Sequence, residues 1–265
     1  MTSIFNPRHA ENRQKYEGSV FPTRSSGDII VVEYRDSKNV LVKFLDTDFE
    51  SLVFLSCVLN GNIKDKMKPT IYGIGVCGDE RVTNSFGRKV KEYRFWSSMI
   101  QRCYDPKLKI AFPSYEGCTT SENFKYYPYF KDWCNNQVGF NSIDSKGKDF
   151  ALDKDILVKG NKIYSEGTCC FVPYEINNLL SSNKATRGSS PIGVSFHKRD
   201  HKYQAYLNTG TSRVHLGYFV TSEEAFLAYK EAKELRIKEV ANKWKDQIDP
   251  RAYEALINYQ VEITD

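Results

Sequence analysis

The chain has 265 residues, 40% of them apolar and 27% charged, with a formal net charge of +5. That length suits two or three small globular domains, the mild basicity permits an anionic partner, and no stretch is apolar enough to span a membrane. Seven cysteines at irregular spacings, with no C-x-x-C pair, signal neither a disulfide framework nor a zinc site, so buried free thiols are expected.

Residues 1–18, MTSIFNPRHAENRQKYEG, are polar, lack the apolar core of a signal peptide and read as a flexible arm; a cytoplasmic setting is expected. From Gly27, GDIIVVEYRDSKNVLVKFLDTDFE predicts strands at about 28–34 and 40–45 around a polar RDSKN turn, with a third near 50–56. With the segment to Gly78, residues 19–78 suggest a small SH3-like β-barrel. GIGVCG, 73–78, is too short for a dinucleotide loop and reads as a linker turn.

Residues 88–104, RKVKEYRFWSSMIQRCY, predict an amphipathic helix. Trp96, Met99, Ile100 and Cys103 recur at i, i+3, i+4, i+7 and read as core. Arg88, Lys89, Lys91, Arg94 and Arg102 make either a solvated face or phosphate contacts. A loop follows over 105–121. A second helical segment spans about 122–134, with Phe124, Tyr127, Phe130 and Trp133 as core and Pro128 disturbing its middle.

Residues 148–182 read as a strand at 150–157, a loop through Gly160 and Asn161, a strand at 168–172 and a helix after Pro173. This ββα order can hold a divalent metal between an acid on the first strand and a polar residue on the helix. Asp153 and Asp155 are the candidate acids, and Asn177 and Asn178 the helix residues.

The stretch 191–219, PIGVSFHKRDHKYQAYLNTGTSRVHLGYF, alternates with period two in three short strands. Val194, Phe196, Tyr203, Ala205, Leu207, Val214 and Leu216 face inward. Ser195, His197, Lys202, Gln204, Tyr206, Asn208, Arg213, His215 and Gly217 face outward. RDHK and TGTS supply the turns, placing Lys198 and Arg199 beside the outward face. A covering helix is predicted over 221–241, opened by a Thr221–Glu224 capping box, and a last helix over about 250–260. Lys184, Arg187, Lys198, Arg199, Lys202 and Arg213 stand against one acid, Asp200. Cations for phosphates and base-reading polar groups on one face point to double-stranded DNA as partner.

GVSFHKRDHKYQAYL, HLGYF and TSEEAFLAYKEAKE resemble the DNA-binding domain of the plant APETALA-two/ethylene-response-factor type. The resemblance implies a three-stranded sheet in the major groove with a helix behind it, although the plant domains carry more Arg and Trp on that face. Upstream, YRFWSSMIQRCYDP, YEGC, FKYYPYFKDW, LDKDI and YSEGTC resemble the bacteriophage HNH-type homing endonuclease family. That likeness implies a ββα-metal nuclease core using Mg²⁺ or Mn²⁺, in a host-cell cytoplasm.

The expected architecture is therefore α+β and multidomain: arm 1–18, small barrel 19–78, HNH-like ββα core 79–183 and sheet domain 184–265. The core departs from the family's pattern. An HNH site uses a histidine base, yet the four histidines are His9, His197, His201 and His215. The base position holds Lys154 or a neighbouring aspartate. Thr168 replaces the motif's Asn and Gly167 its usual Pro. Catalytic candidates are Asp153, Lys154, Asp155 and Asn177; metal candidates are Asp153, Asp155 and Asn178. Three readings stay open: a DNA-binding protein with a degenerate core, an active metal-dependent endonuclease, and an inhibitor that binds a host protein.

Overall fold

The computed structural model describes residues 7–180, 190–210 and 212–265. The chain is mixed α and β, with four small sheets among the described residues. It divides into two compact units, residues 1–111 with 125–130 and residues 112–124 with 131–265. The expected boundary at 183/184, together with Lys184, Arg187 and Thr211 of the TGTS turn, lies outside the described residues, as do residues 1–6 of the arm.

The first unit opens with helix α1 (Pro7–Tyr16) and an antiparallel meander of β1 (Val20–Pro22), β2 (Asp28–Asp36), β3 (Asn39–Phe44) and β4 (Glu50–Val53). Ile29, Val31, Val40, Val42 and Phe44 alternate onto one buried face. A bulge between Val31 and Glu33 resets the phase, so that Tyr34 is buried too. At the hairpin, Asp36 Oδ1 accepts the N–H groups of Lys38 and Asn39 at 2.7 and 2.9 Å.

Two expectations are corrected here. The sheet does not close into a barrel: its order runs from β1 to β4 with no pairing between those two edges. Tyr16 of α1 and Val58 of α2 (Leu55–Asn60) join the sheet's apolar core instead. Nor are residues 7–16 a flexible arm. Asn12 Nδ2 donates to the Tyr34 hydroxyl at 3.1 Å, and Glu17 Oε1 accepts the Tyr34 N–H at 2.9 Å. One buried aromatic and two long-range hydrogen bonds hold a helix that has too few apolar residues to announce itself.

Helix α3 (Lys91–Tyr104) buries Tyr93, Trp96, Met99, Ile100 and Cys103, the face its spacing predicts. The Tyr127 ring lies 5.3 Å from both Tyr93 and Trp96. Part of the expected loop is helical, as α4 (Pro106–Ala111). Helix α5 (Tyr127–Asn135) carries Pro128 in its first turn, where a missing N–H removes no helical hydrogen bond, so the proline starts this helix rather than disturbing it.

In the second unit, β5 (Thr119–Thr120) runs parallel to β7 (Ile163–Tyr164), and β6 (Ala151–Asp153) antiparallel to β8 (Cys170–Val172), which leads through Pro173 into α6 (Tyr174–Leu180). The first ββα strand is shorter than predicted. Asp153 Oδ1 accepts the N–H groups of Asp155 and Ile156 at 2.8 and 2.9 Å, and this local turn ends it. Phe124, Phe140, Phe150, Phe171 and Ile176 are fully buried, with the Trp133 ring 4.8 Å from Phe124.

A three-stranded antiparallel sheet follows, in the order β11 (Arg213–Phe219), β10 (Lys202–Asn208), β9 (Val194–His197). Helix α7 (Ser222–Trp244) starts at the predicted capping box: Thr221 Oγ1 accepts the Glu224 N–H, and Glu224 Oε2 accepts the Thr221 N–H. Its first half buries Ala225, Phe226 and Tyr229 behind the sheet. Its second half buries Ile237, Val240, Ala241 and Trp244 and packs on α8 (Pro250–Ile257) and α6. At α6, Glu175 accepts from Lys243, from Trp244 Nε1 at 2.9 Å and from Arg236 at 3.4 Å. Phe150 meets the Trp244 ring edge-on at 5.6 Å. One helix thus props the sheet and fastens it to the ββα segment. Among the described residues no helix is long and apolar enough to cross a membrane.

Candidate nucleic-acid interface

The sheet positions its side chains through strand register. On the central strand, Lys202 stands opposite His197, and Gln204 opposite Ser195. On the other side Gln204 meets Tyr218, Tyr206 meets His215, and Asn208 meets Arg213. Because side chains alternate along a strand, these residues share the face away from α7. Their contacts agree. Gln204 Nε2 donates to Ser195 Oγ at 3.1 Å, and the Tyr206 hydroxyl donates to Gln204 Oε1 at 3.2 Å. Arg213 places its guanidinium carbon 3.9 Å from the Tyr206 ring centroid. From Tyr206 a run of rings crosses the sheet: His215 at 4.9 Å, Tyr218 at 4.7 Å from His215, and His197 at 5.4 Å from Tyr218.

Eight of the nine strand residues expected to face outward, Ser195, His197, Lys202, Gln204, Tyr206, Asn208, Arg213 and His215, come together on this face, with Lys198 and Arg199 exposed in the adjoining turn. Sequence reasoning missed Tyr218. Strict alternation sets Gly217 outward and Tyr218 inward. The register instead shifts between Ala205 and Tyr206: Ala205 pairs with Gly217, but Tyr206 pairs with His215, leaving Leu216 as the extra residue. Gly217 takes φ +139°, a conformation that favours glycine. The bulge turns Tyr218 onto the polar face, and Leu-Gly inside a strand was the available signal. On the opposite face, Phe196 and Val214 are incompletely covered, at 47% and 42% exposure.

The face is electropositive. Among the described residues no ion pair engages Lys198, Lys202 or Arg213. Asp200, the local acid, pairs with Arg199 at 3.0 Å, and His197 Nδ1 lies 3.2 Å from its other oxygen without hydrogen-bond geometry.

The ββα segment is a different environment. Burial first, and then the negative charge of Asp155, push the Asp153 carboxyl up to about 6. Lys154 is buried, with Nζ 2.9 Å from Asp155 Oδ2 and 3.0 Å from the Asn161 carbonyl. Burial works to lower its pKa, but the Asp155 carboxylate outweighs that and holds the ammonium above its ordinary value, the opposite of what a general base requires. On α6, Asn177 is half-buried and Asn178 exposed. Among the described residues no three His, Cys, Asp or Glu side chains gather as a metal-binding group. The Lys154 ammonium occupies one oxygen of Asp155, while Asp153 is engaged by the backbone N–H groups of Asp155 and Ile156.

Compared with models of known families, with curated proteins and with solved structures, the chain matches none.

Proposed function

We propose that the chain is a DNA-binding protein of the phage HNH-endonuclease type, reading duplex DNA through its C-terminal sheet and carrying a degenerate nuclease core. The observation that supports this reading is the composition of one face. Two cations without carboxylate partners among the described residues, Lys202 and Arg213, share it with a row of rings and a set of amide and hydroxyl groups, and Lys198 and Arg199 stand in the turn at its edge. Three strands at about 4.8 Å spacing span roughly 10 Å, and the major groove is ~12 Å wide. The helix behind the sheet lies outside such a groove, where its second half can hold the ββα segment against the DNA as a clamp. In the core, the Lys154 ammonium supplies the positive charge that a metal would bring to Asp155.

Duplex binding measured over a salt series tests this. Three or four phosphate contacts predict a log–log slope of about −3. A flat response removes DNA from the account and favours a protein partner.

Active cleavage is the second reading, favoured by the two facing acids Asp153 and Asp155 on a ββα unit. Supercoiled plasmid incubated with Mg²⁺ or Mn²⁺ decides between them. The degenerate core predicts an intact plasmid. Nicking that is lost in Asp153→Ala replaces that reading with the enzymatic one.

A further inference from the structure

We infer that Gln204 is the specificity-determining residue of the sheet and that it selects adenine, in an A·T pair, by the adenine's major-groove edge. This rests on the duplex-DNA reading above and names the base that the same face prefers.

Gln204 is the middle residue of a row that crosses all three strands, with Ser195 on one side and Tyr218 on the other. Its amide is clamped. Nε2 donates to Ser195 Oγ at 3.1 Å, and Oε1 accepts from the Tyr206 hydroxyl at 3.2 Å. Tyr206 is itself held by the Arg213 guanidinium over its ring and by His215 beside it. The clamp sets the plane of the amide before any ligand arrives, so little side-chain freedom is lost on binding.

A primary amide has two N–H donors and an oxygen with two lone pairs. The clamp uses one of each, and one N–H and one lone pair remain. Adenine presents the matching set in the major groove, an N7 acceptor beside an N6 amino donor. Guanine presents two acceptors, which would set its O6 against the Gln204 carbonyl. Cytosine offers a donor alone, and thymine an acceptor and a methyl group. Tyr218, 47% exposed and directly across from Gln204, supplies the apolar surface that the thymine methyl of the same pair requires.

In this arrangement Gln204 touches the base, whereas Ser195 and Tyr206 are positioning residues. The test begins by selecting duplexes from a random library with the full chain and measuring affinities by fluorescence anisotropy. The selected site should contain a required A·T pair. Changing its adenine to 7-deazaadenine, or the pair to G·C, should weaken wild-type binding roughly 5- to 150-fold. Gln204→Ala should bind the original and altered duplexes alike. Ser195→Ala and Tyr206→Phe should shrink the penalty at that one pair while leaving the salt slope unchanged, which a general loss of structure would not do. If Gln204→Ala keeps every base preference, or loses its preference at a G·C pair, the adenine assignment is overturned while DNA binding stands. If the chain binds no duplex in a salt-dependent manner, both fall.

Discussion

Asp153→Asn probes whether the ββα carboxyls form a strained pair held in place by the fold. The Asp153 side chain combines two opposed influences. Its Oδ1 accepts two backbone N–H groups, while burial and the Asp155 charge raise the carboxyl from 3.8 to about 6. At about 1.36 kcal/mol per pH unit, that rise corresponds to ~3 kcal/mol of preference for the neutral form. The folded chain binds this proton more tightly than the unfolded chain. The contribution to stability is therefore complete below about pH 4 and is lost as pH rises through about 6. Asparagine keeps the accepting oxygen, discards the charge and points an amide N–H towards Asp155. The variant should match wild type near pH 4 and exceed it by ~1–3 kcal/mol at pH 8. Urea unfolding followed by circular dichroism between pH 4 and 8, at constant ionic strength, measures the difference. A constant offset across that range, or a wild type that gains on the variant as pH rises, refutes the reasoning.

Glu175→Gln should act in the opposite pH direction. Burial works to raise the pKa of Glu175, but Lys243, Trp244 and Arg236 outweigh it and hold it low, so its contribution is present above the usual carboxylate range and lost in acid; removing the charge at neutral pH should cost ~1–2 kcal/mol in the same urea assay, because the side chain is partly exposed. Gly193→Ala would put a Cβ 2.1 Å from Tyr229 Cδ2 at φ +76°; a cost of roughly 3–5 kcal/mol and loss of amide protection in β10 are expected, with partial rescue by Tyr229→Ala. Lys202→Ala should weaken binding evenly across DNA sequences and reduce the magnitude of the salt slope by about 1, whereas a change confined to one base pair would show that Lys202 reads bases.

Much of the C-terminal sheet and its covering helix was legible in the residues. Val194, Ala205 and Leu207 alternate with Ser195, Gln204 and Tyr206, and that period alone separates a buried from a solvated face. Thr221 and Glu224 fixed the start of α7 because a capping box is local chemistry. Trp96, Met99, Ile100 and Cys103 were legible for the same reason, as one stripe of one helix. Pro128 was misread because its effect depends on whether it falls in the first turn or the middle, which neighbours several residues away decide.

What the amino acids determined by themselves is short-range: strand alternation, helix stripes, caps, turns and the sign of the charge on each segment. These depend on residues a few positions apart, whose geometry the backbone fixes. Only the tertiary structure decided the rest. The bulge at Leu216 arises from pairing against β10 and brings Tyr218 onto the polar face. The Lys154 ammonium is committed to Asp155 and a carbonyl seven residues on, while Asp153 is pushed towards neutrality by burial. Desolvation and cross-strand register are properties of chain segments brought together from a distance, and no local pattern carries them.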